Sequence, residues 1–178
     1  CGFCYGVKRA IDIAQMNVKG YNTSIATLGE IVHNPRVVES LAQKGVQCKE
    51  TLADFSAGDT VIFRSHGAAP QIYEEAEKKG LKIIDATCPH VRKAQKTAAA
   101  LSKEGRFVII IGEKLILGAK YQGLAGKDSL VIETADDVES LPVRDKFGVV
   151  SQTTFEAGKF NLLLHLSQEK RSGDYKVE

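Results

Sequence analysis

The sequence contains an internal repeat whose two copies lie 84 residues apart. Cys-Tyr-Gly-Val-Lys-Arg-Ala at residues 4–10 returns as Cys-Pro-His-Val-Arg-Lys-Ala at residues 88–94. Nearly the same offset relates two further pairs of segments, Leu-Gly-Glu at 28–30 with Ile-Gly-Glu at 111–113, and Ile-Phe-Arg-Ser at 62–65 with Gly-Val-Val-Ser at 148–151. A repeat of this kind predicts two related halves, each opening with a cysteine and a helical pattern.

The repeat also sets the expected size of each half. It divides the 178 residues into two α/β units, which we expect at residues 1–86 and 87–178. Units of this length fall within the range of small domains. The same interval predicts a third repeat, missing here, whose cysteine would follow Glu178. We therefore interpret the sequence as a fragment of a pseudo-three-fold, three-domain protein.

Composition narrows the class of protein. The chain is 43% hydrophobic and 26% charged, which is ordinary for a globular α/β protein. A net charge of +2 gives no indication of a nucleic-acid or membrane-surface partner. No apolar run approaches the length needed to span a membrane. We expect a cytoplasmic protein, or a plastid one if a transit peptide precedes residue 1.

Short β-branched runs alternate with helical patterns along the chain. Strands are predicted at 24–28, 60–63, 81–84, 107–111, 130–132 and 147–150. Three prolines open predicted helices, namely Pro35 after the capping residue Asn34, Pro70 and Pro89. Alternating strands and helices with short connections predict parallel sheets covered on both faces, so the expected fold class is α/β.

The residues able to carry chemistry fall between strands and the helices that follow them. They are His33, His66, Cys88, Thr153 and Thr154. In open α/β sheets this carboxyl edge of the strands is where ligands bind. Helix N-termini at such an edge attract anions, and histidine and threonine side chains can donate hydrogen bonds to phosphate oxygens. The sequence therefore predicts one site for an anionic ligand.

The four cysteines suggest metal binding more than disulfide formation. Cys4 and Cys88 occupy equivalent places in the two repeats, which is expected of ligands that face one metal centre. Cys48 lies in a strand pattern and receives no role. Cys1 and Cys4 form a Cys-x-x-Cys motif, so a small dithiol redox protein stays open as an alternative. That alternative predicts that Cys88 is dispensable and that no iron binds.

Five ordered motifs closely resemble the IspH/LytB family of 4-hydroxy-3-methylbut-2-enyl diphosphate reductases. They are Gly-Phe-Cys-Tyr-Gly-Val-Lys-Arg-Ala-Ile at 2–11, Ile-Val-His-Asn-Pro at 31–35, Ser-His-Gly at 65–67, Asp-Ala-Thr-Cys-Pro at 85–89 and Ser-Gln-Thr-Thr at 151–154. The resemblance covers essentially the whole chain. It implies three related α/β domains arranged around a central [4Fe–4S] cluster.

The resemblance also implies a reaction and a set of site residues. Cys4 and Cys88 would be two of three thiolate ligands to the cluster. His33 and His66 would bind the diphosphate of a small allylic substrate. The enzyme would reduce this substrate to isopentenyl and dimethylallyl diphosphate, in the non-mevalonate route of isoprenoid biosynthesis. Electrons would come from a donor such as ferredoxin or flavodoxin.

Two threonines complete the implied site. Thr153 would be the catalytic residue that takes part in proton delivery, and both Thr153 and Thr154 would contact the substrate. No nucleic-acid or membrane partner is implied.

The sequence departs from the family at one motif. After residues 109–112 the family carries His-Pro-Glu-Val, which supplies a further diphosphate-binding histidine and a proton-relaying glutamate. Residues 113–123 here read Glu-Lys-Leu-Ile-Leu-Gly-Ala-Lys-Tyr-Gln-Gly, so the His-Pro-Glu-Val motif and the two residues it supplies are missing. This indicates either a divergent homologue that binds a cluster or a diphosphate and is non-catalytic or acts on an altered substrate, or a local error in the sequence such as a short frameshift.

Overall fold

The computed structural model describes residues 3–18, 24–32, 34–114, 117 and 125–178. The chain divides into two compact units, Cys1–Pro89 (unit 1) and His90–Glu178 (unit 2). Within the described ranges, no helix has both the length and the apolar character needed to cross a membrane.

Unit 1 is built on a four-stranded parallel sheet. Its elements are α1 (Tyr5–Asn17), β1 (Ile25–Leu28), α2 (Pro35–Gln43), β2 (Val46–Lys49), a 3₁₀ turn (Leu52–Asp54), β3 (Thr60–Phe63), α3 (Pro70–Lys78) and β4 (Lys82–Asp85). The strand order is β2-β1-β3-β4, with Ile25 opposite both Val46 and Thr60. All three pairs of neighbouring strands are parallel, which requires helical crossovers between them.

Both faces of this sheet are buried. Successive residues of a strand point to opposite faces, so Ile62 packs with α1 and α2 while Val61 packs with α3. On the first face the fully buried Ala10 and Ala14 let α1 lie close to the strands. This packing explains why the strands read as continuous apolar runs in the sequence.

Unit 2 repeats the arrangement. Its elements are α4 (Pro89–Lys103), β5 (Phe107–Ile111), β6 (Ser129–Ile132), α5 (Ala135–Val138), β7 (Lys146–Ser151), α6 (Ala157–Lys170) and β8 (Asp174–Val177). The strand order is β6-β5-β7-β8, again all parallel. Gly148 in β7 is needed for packing, since a methyl group there would stand 2.8 Å from Cβ of Leu101 in α4.

The two sheets have the same topology, which confirms the predicted fold class of two repeated α/β units with parallel sheets. Helices α2, α3 and α4 begin at Pro35, Pro70 and Pro89, as the sequence predicts. Strand β8 was not predicted. It is short and polar at the edge of its sheet, and its burial is only partial, so its residues carry no apolar pattern.

Candidate functional site

Cys4 stands at the start of α1. Its backbone is extended and it occupies the N-cap position, where its carbonyl accepts a 3.0 Å hydrogen bond from the Lys8 N–H. Its side chain makes no capping hydrogen bond, is exposed and is not in a disulfide. The thiol is therefore available to bind a ligand beside the positive end of the helix.

The structure brings Cys88 to the same helix end. A methyl group built on Gly6 would stand 2.7 Å from Cys88 Sγ and 2.9 Å from its Cβ. Because Gly6 has no side chain, the sulfur can lie directly against the first turn of α1. Cys88 is half-buried and also a free thiol. The two cysteine segments, distant in sequence, thus meet within unit 1.

Residues 85–88, which we call the cysteine strap, are anchored to several elements of unit 1. The Arg9 guanidinium on α1 donates from Nη1 to the carbonyl oxygens of Ala86 and Thr87, at 3.4 and 3.3 Å. The Cys88 N–H donates to the Ser65 carbonyl at 2.9 Å. The backbone leading to the Cys88 sulfur is therefore held from two directions.

A side-chain network supports the strap from a third direction. Asp85 Oδ1 accepts from the Thr87 N–H at 2.8 Å and also from the Thr87 hydroxyl. Since the Thr87 proton is used in that bond, the Tyr73 hydroxyl of α3 is the donor in its 3.3 Å contact with Thr87 Oγ1. Burial raises the pKa of Tyr73, and the nearby Asp85 carboxylate raises it further, so the phenol stays protonated as a donor.

Of the two predicted histidines, the structure describes His66 but not His33. His66 is half-buried in the loop after β3, directly after Ser65, whose carbonyl holds Cys88. His33 lies outside the described residues. Its neighbour Asn34 caps α2, with Oδ1 accepting from the N–H groups of Arg36 and Val37 at 3.1 and 3.4 Å.

Thr153 and Thr154 follow β7 in unit 2, and both are exposed. Gln152, which is 7% exposed, organises this loop. Its Oε1 accepts from the Glu113 N–H at 2.8 Å, and its Nε2 donates to Thr154 Oγ1 at 2.9 Å. Gly112 makes room for this side chain, since a methyl group there would stand 2.6 Å from Gln152 Oε1.

Four of these residues had no role predicted from the sequence, namely Arg9, Tyr73, Asp85 and Gln152. Three of them lie inside the recognised motifs, and that position is the only signal the sequence offered. Tyr73 carries no such signal, because its contact with Thr87 depends on how α3 packs.

Two further histidines lie within helices. His90 and His165 are exposed on α4 and α6, and His165 Nε2 lies 3.4 Å from Glu169 Oε1 of the same helix. Cys48 is exposed in β2. Cys1 of the Cys-x-x-Cys motif lies outside the described residues, so the dithiol alternative stays a prediction.

The donor set of unit 1 is compatible with a site for a soft metal. Thiolates are the usual ligands of iron–sulfur clusters, and Cys4 and Cys88 offer two accessible thiols at one helix end. Gly6 leaves space for the Cys88 sulfur, and neither thiol is in a disulfide. Among the described residues there is no group of three or more histidine, cysteine, aspartate or glutamate side chains placed to hold a metal ion. Two cysteines would thus supply part of a ligand set.

Comparison with known proteins gives consistent results. The model of the LytB protein family matches residues 1–176. A 4-hydroxy-3-methylbut-2-enyl diphosphate reductase of Aquifex aeolicus is 41% identical over 157 residues, which are 86% of this chain and 54% of that protein. The corresponding protein of Caldanaerobacter subterraneus subsp. tengcongensis is 39% identical over 175 residues, 95% of this chain and 60% of the relative. The chain thus spans 54 to 60% of the length of these relatives.

Solved structures agree with the sequence comparison. The Plasmodium falciparum E-1-hydroxy-2-methyl-but-2-enyl-4-diphosphate reductase matches with a TM-score of 0.90 and 32% identity, over 99% of this chain and 56% of that one. A structure of (E)-4-hydroxy-3-methyl-but-2-enyl diphosphate reductase, described as the terminal enzyme of the non-mevalonate pathway, matches with a TM-score of 0.89 and 37% identity, over 99% of this chain and 64% of that one. The strap, the repeated parallel sheets and these matches lead to one conclusion: the chain belongs to the LytB family.

Proposed function

We propose that the chain is part of a 4-hydroxy-3-methylbut-2-enyl diphosphate reductase. The observation that carries this proposal is the packing of Cys88 Sγ against Gly6, at the end of the helix that Cys4 precedes. Relatives about 40% identical bear the name of this enzyme. Cys4 and Cys88 would hold two irons of a [4Fe–4S] cluster, and a third thiolate would come from elsewhere in the protein.

The proposed reaction removes a hydroxyl group from an allylic alcohol. When bound, the cluster would supply the two electrons, received from a carrier such as ferredoxin or flavodoxin. Two electrons and two protons convert the substrate to isopentenyl or dimethylallyl diphosphate and one molecule of water. The side chains of the protein must therefore bind a diphosphate and provide a path for protons.

Histidine side chains would bind the diphosphate. His66 is fixed in the loop next to the strap, and His33 directly precedes the capping residue of α2. Because Asn34 already occupies the N–H groups of Arg36 and Val37, these backbone donors are not free for phosphate. The imidazoles would then supply charge-assisted hydrogen bonds to the diphosphate oxygens.

The loop at residues 152–154 of unit 2, which we call the threonine loop, would contribute hydroxyl groups. Gln152 Nε2 donates to Thr154 Oγ1, so the hydroxyl proton of Thr154 can be donated onward to a substrate oxygen. Thr153 would be the relay that passes protons to the substrate. A threonine hydroxyl is too weak an acid to be the source of protons, so it needs an acid behind it.

A second candidate function is cluster or diphosphate binding without turnover. The observation that favours it is the absence of the His-Pro-Glu segment from residues 113–123. Within residues 113–123, the carboxylate of Glu113 is exposed and lies 3.5 Å from Gln152 Nε2, a weak hydrogen bond. The segment thus keeps a carboxylate at its first residue but lacks the His-Pro-Glu motif itself.

One experiment separates these candidates. The sequence would be extended to the full length of its relatives, purified without oxygen, and analysed for iron, sulfide and oxidation of reduced methyl viologen with 4-hydroxy-3-methylbut-2-enyl diphosphate. Iron binding with substrate-dependent oxidation would support the reductase. Iron binding without oxidation would favour the second candidate. Absence of iron from the wild-type protein would exclude both cluster-based functions.

A further inference from the structure

Arg9 connects the two cysteine segments of unit 1. It lies on α1, five residues after Cys4, and its Nη1 contacts the carbonyl oxygens of Ala86 and Thr87 across 77 and 78 residues of sequence. These two carbonyls directly precede Cys88. The guanidinium therefore joins the helix at one cysteine to the backbone at the other.

Arg9 donates to the Ala86 and Thr87 carbonyls, whereas the backbone N–H groups of the strap have other partners. The Ala86 N–H donates to the Phe63 carbonyl, the Thr87 N–H to Asp85, and the Cys88 N–H to the Ser65 carbonyl. Ala86 and Thr87 are 0% and 3% exposed, so water has little access to the residues whose carbonyls face Arg9. Loss of the guanidinium would leave buried acceptors without this donor, which is costly.

The charge of Arg9 gives it a second effect. A guanidinium remains protonated at every physiological pH, so the charge near the strap is fixed. Thiolates and a reduced iron–sulfur cluster are negatively charged, and nearby positive charge favours the more negative, reduced state. A neutral side chain at this position would remove that effect, whereas lysine would retain it.

We propose that Arg9 is a positioning residue for Cys88. Its hydrogen bonds fix the cysteine strap against α1 and so fix where the Cys88 sulfur stands relative to Cys4. Its charge raises the reduction potential of the cluster that the two cysteines hold. The first statement concerns the protein alone, and the second rests on the proposed function.

The first statement is tested by hydrogen exchange of the metal-free chain with the variants R9M, R9K and K8M. R9M retains an unbranched side chain but lacks donors, so we expect the Ala86 and Cys88 amides to exchange about tenfold faster relative to amides of the central strand β3. R9K should restore part of the protection. Lys8 is exposed and adjacent, so K8M should leave exchange unchanged.

Three results would overturn this positioning role. They are unchanged exchange of the strap in R9M, an equal acceleration at β3 that reveals general destabilisation, and R9K exchanging as fast as R9M. The measurement needs no metal, so it decides the role of Arg9 even if the wild-type protein binds no iron and the proposed function fails.

The second statement is tested by redox titration of the cluster in the extended protein. We expect a more negative reduction potential in R9M, a near-wild-type potential in R9K, and a smaller shift in K8M than in R9M because solvent screens the exposed charge of Lys8. R9M and wild type with the same potential would overturn the electrostatic effect. Wild-type protein without iron would instead count against the proposed function, leaving the exchange result as it stands.

Discussion

The contact between Gly6 and Cys88 depends on a single missing methyl group. Glycine in a helix normally costs stability, because it loses more conformational entropy on folding than alanine does. At position 6 that cost is offset by the space it leaves for the Cys88 sulfur, 2.7 Å from where a Cβ would stand. The packing of Cys88, and not helix propensity, therefore explains why residue 6 is a glycine.

Replacement of Gly6 by alanine tests this explanation. An exposed helical glycine usually gains about 0.5–1 kcal/mol on such a change. We expect Gly6→Ala to lose about 1–3 kcal/mol instead, because the strap must shift to avoid the new methyl group. Denaturant unfolding of the metal-free protein would measure the change.

Gly158 in α6 provides the matched control. A methyl group there would meet only the carboxylate end of Glu156, at 2.6 Å, a flexible side chain that caps α6 by accepting from the Gly158 N–H at 3.1 Å. The gain in helix propensity and the displacement of this cap oppose each other, so Gly158→Ala should be close to neutral. A change in stability for Gly6→Ala equal to that for Gly158→Ala would show that the contact with Cys88 is not tight.

One pairing of residues could be predicted from the internal repeat, although the role of those residues as metal ligands stays a prediction. The repeat identified Cys4 and Cys88 as equivalent positions, and the structure brings their segments together within unit 1. The hydrogen bonds of Arg9 could not be predicted in the same way. They join residues 77 and 78 positions apart, and nothing in the sequence specifies which of the two basic residues in the motif reaches the strap.

Between elements, Gln152 joins the carboxyl ends of two neighbouring strands. It follows β7, and its side chain accepts from the N–H of Glu113, which follows β5. A nearly buried amide in this position satisfies a backbone donor and orients the Thr154 hydroxyl. The threonine loop is thus attached to the central strand of the sheet.

Replacement of Gln152 by leucine should remove both of these hydrogen bonds. Leucine is of similar size but cannot bond the Glu113 N–H or Thr154, so we expect a loss of about 1–3 kcal/mol in the free energy of unfolding. Thr153→Val is the control, since Thr153 is exposed and its replacement should change stability by less than about 0.5 kcal/mol. Equal effects of the two substitutions on unfolding would contradict the structural role of Gln152.

Asp137 connects Lys114 to the start of α5, and its pKa predicts how the free energy of unfolding responds to acid. Partial burial raises the pKa of this carboxylate, but the ion pair with Lys114 and hydrogen bonds from the Glu133 and Thr134 N–H groups together lower it to about 2. The folded-state value lies below the ordinary 3.8, so the stabilisation is present above about pH 4 and lost as the pH falls toward 2.

The variant Asp137→Asn should therefore be less stable than wild type at pH 7 by about 1–2 kcal/mol, allowing for solvent screening. The difference should shrink between pH 4 and pH 2 in unfolding measurements. The exposed neighbour gives a control, and Asp136→Asn should follow the wild-type pH dependence. A difference between Asp137→Asn and wild type that stays constant to pH 2 would rule out the ionised carboxylate as the source.

On the scale of the whole molecule, the fold class followed from the order of elements. Alternating apolar strands and proline-initiated helices predicted parallel sheets, and each unit contains one with the same strand order. Strand β8 escaped prediction because it lies at a sheet edge, where a residue needs no apolar side chain to pair. The short helix α5 is four residues long and too brief to have a helical period.

The candidate site was predictable in part for the same physical reason. The carboxyl ends of parallel strands collect the residues that follow them, so His66, Cys88 and Thr153 could be placed at strand ends from sequence alone. The supporting contacts of Tyr73 and Gln152 arise from packing between elements. Such contacts are not encoded in any local pattern.

A metal site built on Cys4 and Cys88 can be tested by the iron and sulfide content of the extended protein, purified without oxygen, with the variants Cys4→Ser, Cys88→Ser and Cys48→Ser. We expect about four irons per wild-type chain and retention of iron in Cys48→Ser, since Cys48 is an exposed strand residue, but loss of iron in both other variants. Iron retained after Cys88→Ser, or lost equally in all three variants, would contradict the claim that Cys4 and Cys88 form one metal site.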